Sequence, residues 1–152
     1  MKTNSGFSML ELMISVAIIA DIALIAIPSF IRSRNFAQDT RFGSDLRVAV
    51  EAFEMYAAEH NRYPANAPTA TIPAGMSQYL QPVNWTTMTS IGGEWTWDNN
   101  RNGVTAAVCV EFRTPPDELR MTRIDEIFDN GTLVTGAFRK MSDTRYAYII
   151  EQ

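Results

Sequence analysis

The sequence predicts an α+β protein: a long N-terminal helix, apolar in its first half and amphipathic in its second, under a small antiparallel β-sheet head. Three observations carry that reading. A stretch of about 20 mostly apolar residues follows a short positive stub, and about 30 further residues then pass without a turn signal. Four β-type segments separated by turn residues fill the C-terminal half.

The first element runs from Phe7 to Ile31, preceded by Lys2 and the chain amine. Its length suits a bilayer crossing, with the positive end held in the cytoplasm. A secretory signal would carry a small-x-small cleavage site after the apolar run. No Ala-x-Ala occurs from Ala17 through Pro28. The run also holds two carboxylates, Glu11 and Asp21. Each costs about 2.5–3.5 kcal/mol at the centre of a membrane helix, so neither belongs in a disposable signal or a plain anchor. Each therefore calls for a partner.

Gly6-Phe7-Ser8-Met9-Leu10-Glu11-Leu12 resembles the prepilin processing motif of type IV pilins and type II secretion pseudopilins. The resemblance implies a leader, residues 1–6, cut between Gly6 and Phe7 by the prepilin peptidase, which then N-methylates Phe7. It places Glu11 as the fifth residue of the mature chain and Pro28 at the usual helix proline. Physical reasons agree with it. Gly6 offers a protease an unobstructed peptide. Glu11 needs a cation inside lipid, and cleavage creates one, the Phe7 amine of a neighbouring subunit. The expected partners are other pilin subunits in a helical filament, the peptidase, an inner-membrane assembly platform and, before assembly, membrane lipid. The head would lie in the periplasm, and later in a pilus or pseudopilus. Mid-helix, where the family often has glycine, stand Ala20 and Asp21; Asp21 would either mark an accessory subunit or seek Arg32 or Arg34 of a neighbour. Pro28 removes the bond to the Leu24 carbonyl and is expected to loosen the helix.

Residues 7–31 thus form the membrane or filament-core segment, and 32–63 the amphipathic continuation. Phe42, Leu46, Ala49, Phe53 and Tyr56 make one stripe, with Arg41, Asp45, Arg47, Glu51 and Glu54 on the other sides. Asn61-Arg62-Tyr63-Pro64 ends the helix. The whole would extend about 80 Å.

Residues 64–152 form the head. Pro68 and Pro73 mark a surface loop from Ala65 to Gly75, and Met76–Leu80 suits one helical turn. Strands are expected at Glu94–Asp98, Val104–Phe112, Thr132–Arg139 and Arg145–Ile150. Asp98–Gly103 reads as a hairpin turn rather than a calcium loop, because its twelfth position is Cys109 and not glutamate. Pro115 and Pro116 open a helix that runs to about Phe128. Trp85, Trp95 and Trp97 are expected in the core.

Composition excludes several functions. The net charge of −4 gives no overall footprint for nucleic acid. One cysteine, Cys109, forbids an intrachain disulfide and reads as a buried strand thiol; the one histidine, His60, sits at a helix end. No nucleophile–base or metal-ligand set can be assembled from them, so no enzyme is expected. Some pseudopilins bind calcium near their C-terminal half, which makes Asp125, Asp129 and Asn130 weak candidates beside a plain cap-and-turn role. The leading function is a filament subunit. Alternatives are a secretion pseudopilin, or a tip subunit that binds DNA or surfaces through Arg101, Arg113, Arg120, Arg123 and Arg139.

Overall fold

A computed structural model describes residues 6–152; the positive stub at Lys2 and the leader residues 1–5 lie outside the described residues. Helix α1 spans Met9–His60, strand β1 Glu94–Arg101, β2 Val104–Glu111, helix α2 Glu118–Phe128, β3 Phe138–Lys140 and β4 Arg145–Glu151. The chain divides into two compact units, one ending at Ala37 and the other running Gln38–Gln152.

In the first unit the backbone stays helical through Pro28, with no unwinding there. One lost bond to the Leu24 carbonyl leaves the neighbouring bonds of the helix in place. Its large apolar side chains, from Phe7 to Phe36, are exposed all round the helix. It contains the single helical segment among the described residues that is long and apolar enough to cross a membrane.

The second unit is a head built on the rest of α1. Its stripe of Phe42, Leu46, Ala49, Phe53 and Tyr56 is buried, as the periodicity requires. Asn61 takes a left-handed conformation (φ 51°) and stops the helix, three residues before Pro64. The four strands form one antiparallel sheet in the order β1-β2-β4-β3. Period-two alternation turns Trp95, Trp97, Val108, Val110, Tyr146 and Phe138 into the core they share with the stripe. Phe53 stacks on Trp97 at 3.9 Å between ring centroids, and Phe42 on Trp95 at 5.4 Å. The indole N–H groups of Trp85 and Trp97 donate to the carbonyls of Thr71 and Pro64. All three tryptophans are therefore core residues.

Three boundaries in the head differ from expectation by more than one residue. The β1–β2 turn is only Asn102-Gly103, both left-handed (φ 55° and 81°), because that pair forms a two-residue hairpin loop on its own and lets Asn99, Asn100 and Arg101 extend the strand. The β3 strand is Phe138–Lys140 rather than Thr132–Arg139. Asn130 accepts the Thr132 N–H, the Thr135 N–H bonds back to Thr132, and Gly136 is left-handed (φ 96°), so the segment before Ala137 is spent on turns. Helix α2 begins at Glu118 and not at the prolines, because Asp117 is its N-cap and accepts from the Leu119 N–H.

Candidate processing and assembly site

The chemistry expected of the N-terminus depends on a peptide bond a protease can reach. Gly6, Phe7 and Ser8 lie outside the helix and are exposed. A Cβ on Gly6 would meet nothing within 4 Å among the described residues.

Helix α1 then starts on a cap made by the Glu11 side chain. Ser8 precedes the first helical residue, and the Ser8 N–H donates to Glu11 Oε2 at 2.9 Å. Ser8-x-x-Glu11 is the capping-box spacing, a signal in the sequence that the family resemblance overshadowed. The Glu11 carbonyl also accepts from the Ser15 hydroxyl at 2.7 Å. The carboxylate is thereby held at the helix start, one residue from the amine that cleavage at Gly6–Phe7 would release. A negative group there also suits the positive end of the helix dipole.

Asp21 stands ten residues farther along, among exposed Ile18, Ile19, Ile22, Leu24 and Ile25. Among the described residues it has no ion pair or hydrogen bond, and neither do Arg32 and Arg34. The structure of one chain therefore does not bring the expected Asp21 partners together.

In the head, Arg120 on α2 reaches α1: its Nε donates to Asp39 Oδ1 at 2.6 Å and its Nη2 to Gln38 Oε1 at 3.2 Å. Asp39 is only 4% exposed, so this is a nearly buried ion pair. The sequence pattern did not reveal it, because partners 81 positions apart share no register. On the sheet face away from the stripe, Asp98 is fully buried. It accepts from Asn102 Nδ2 and the Cys109 thiol and faces Arg145 Nη2 at 3.4 Å. Burial, and then the Asp98 charge, push the Cys109 thiol well up, so the cysteine is an inert strand residue. Arg113 pairs with Glu94 and Arg120 with Asp39, so these two of the five arginines are engaged separately.

The calcium candidates have distinct surroundings. Asp129 Oδ2 accepts the Ala137 N–H at 2.5 Å, and Asn130 Oδ1 the Thr132 N–H at 2.8 Å, so both fix the turn after α2. A side chain on Gly136 would collide with the Asp129 carboxylate. Asp125 is fully buried and neither oxygen completes a hydrogen bond. Burial pushes its carboxyl up; the nearby N–H groups of Thr132 and Gly131 pull it partly back. Among the described residues no group of three or more His, Cys, Asp or Glu side chains is placed to hold a metal.

Residues 1–27 match the family model described as the prokaryotic N-terminal methylation motif. The chain is 30% identical over 118 residues to the type IV wide pilus major component PilA4 of Thermus thermophilus, covering 78% of this chain and 86% of that protein. It is 30% identical over 63 residues to the type II secretion system core protein G of Aeromonas hydrophila, 41% of this chain and 44% of that one. It is also 38% identical over 60 residues to the type IV major pilin protein PilA of Myxococcus xanthus, 40% of this chain and 27% of that one. No solved structure matches the chain.

Proposed function

The chain belongs to the type IV pilin family, and we propose that it is the structural subunit of a pilus, matured by cleavage between Gly6 and Phe7 and assembled from the inner membrane. One observation carries the reading: an exposed apolar cylinder begins with a capped carboxylate and an accessible peptide bond. Such a cylinder has no place in water; lipid accepts it first, and the same segments of other copies accept it afterwards. The chemistry needed from the subunit is binding alone, and no reaction is assigned to its head.

Cleavage removes the leader and exposes the Phe7 amine, a cation near neutral pH. The capped Glu11 carboxylate is its natural acceptor on the adjacent copy. A pilus is favoured over a secretion pseudopilus because the match to a pilus component extends over 86% of that protein, whereas core protein G is matched over 44%. The positive stub keeps the N-terminus in the cytoplasm and places the head in the periplasm before assembly.

Intact mass of the membrane-extracted chain tests this directly. The expected species begins at a methylated Phe7; one starting at Met1, or beyond Ala20, overturns the processing scheme. Glu11→Gln, which keeps shape and removes charge, should be processed normally and yet lose fibres. Breaking one side of a buried pair costs about 3–5 kcal/mol at every added subunit. Normal fibres from a cleaved Glu11→Gln chain would exclude charge pairing.

A further inference from the structure

Asp21 lies eleven residues before Arg32 and thirteen before Arg34. At 100° per residue, Arg32 falls within about 20° of the Asp21 direction, whereas Arg34 falls about 140° away. The backbone is helical without a break from Met9 past both arginines, so this spacing holds in the molecule. Asp21 and Arg32 therefore share one face, three turns apart. Three turns are about 16 Å, more than an aspartate and an arginine can bridge within one chain. Neither has an ion-pair or hydrogen-bond partner among the described residues, and no Lys, Arg or His occurs from Phe7 to Ile31.

We infer that Asp21 of one copy pairs with Arg32 of another in the filament, a second intersubunit contact besides that of Glu11, and that Arg34 takes no part. The inference rests on the filament reading above. In a screw-symmetric assembly of identical chains, a face that points at the axis on one copy points at it on all. An acid and a base on that single face then meet only between copies displaced along the axis. The sense of displacement agrees with that of the Glu11 contact. Moving a copy outward brings its Phe7 level with Glu11 of the copy below, a step of about 6 Å for four residues. Further displacement in the same sense brings its Asp21 towards Arg32. Arginine side chains on a helix lean towards the N-terminus, which shortens the longer step. The two contacts thus belong to different neighbours along the screw, so each subunit is keyed at two axial levels.

A double-mutant cycle on fibre yield, with the full chain expressed in a piliated host, tests the pair. Asp21→Asn, Arg32→Gln, the double variant and Arg34→Gln are compared, with processing verified by mass. Arg32→Gln leaves a carboxylate unpaired in an apolar seam and should lower sheared-fibre yield by about tenfold or more. Asp21→Asn should cost less, since Arg32 stands at the outer end of the apolar run and can turn to water. The double variant should recover to the level of Asp21→Asn, and Arg34→Gln should match the unchanged chain. A double variant as poor as the product of the singles, or an Arg34→Gln loss equal to that of Arg32→Gln, overturns the pair while leaving the filament intact. An unchanged chain that builds no fibres overturns the filament reading and the pair with it.

Discussion

Helix α1 is one continuous element with two opposite fates. Up to Ala37 its apolar residues point in every direction, and large ones such as Leu24 and Ile25 are 75% and 79% exposed. From Gln38 on, the large apolar residues other than Met55 keep to one stripe, and Phe42, Leu46 and Phe53 are at most 1% exposed. Both portions are helical, and it is the angular distribution of apolar side chains that differs. A stripe can be satisfied by one sheet of the same chain. A cylinder that is apolar all round cannot, and it commits the protein to lipid or to other copies of itself.

The sharpest way to break this comparison is to truncate one large side chain in each portion. Phe53→Ala removes a ring stacked on Trp97 and should destabilise the head by about 3–5 kcal/mol. Denaturant unfolding of the detergent-solubilised chain, followed by tryptophan fluorescence, reads it. Ile25→Ala removes comparable apolar volume but should leave the same midpoint within about 0.5 kcal/mol. Its effect belongs to fibre yield. Equal losses of head stability from the two would mean that the apolar segment is part of the head's folding unit.

This contrast was legible in the sequence because periodicity is a local property. The span of α1, the hairpin arms, the buried tryptophans and the inert Cys109 follow from short-range pattern alone. The β3 strand was misplaced because Thr132–Arg139 has strand-like residues, and only the hydrogen bonds that Asn130 and Asp129 accept from the Thr132 and Ala137 N–H groups show that its first part is spent on turns. Glu11 stands out as an acid in an apolar run, whereas its cap on Ser8 needed attention to spacing three residues back. Asp39 was invisible as a core residue. Its burial depends on an arginine 81 positions away.

That pair supplies a middle-sized test. Arg120→Met keeps the length of the side chain and removes the charge that faces Asp39. The nearly buried carboxylate then loses its principal donor, which should cost about 1–3 kcal/mol in head stability. Asp39→Asn combined with Arg120→Met should regain part of it, because the cost lies mainly in stranding one charge. A loss that the double variant does not relieve would show that Arg120 acts through packing of its stem.

The smallest effect is expected at Asp125, where the sign is informative. Burial raises its carboxyl pKa in the folded head above the ordinary aspartate value, so the folded state holds the proton more tightly than the unfolded chain. Its contribution is then fully present below about pH 4, the unfolded value, and is lost as pH rises through the folded one. At neutral pH the ionised group is a cost, since neither oxygen completes a hydrogen bond. Asp125→Asn removes that cost and keeps the shape. The variant should therefore unfold at a higher denaturant concentration than the unchanged chain at pH 7, by less than the Arg120→Met loss, with the gap closing as pH falls towards 4. A calcium role changes one arm only: added calcium would stabilise the unchanged chain at pH 7 and not Asp125→Asn, and EDTA would undo it. Midpoints indifferent to calcium and EDTA, with the pH-dependent gap intact, would leave burial alone as the reason for the raised value. A variant less stable at pH 7 in EDTA would mean that the Thr132 and Gly131 N–H groups hold the charged carboxylate more firmly than its burial penalises it.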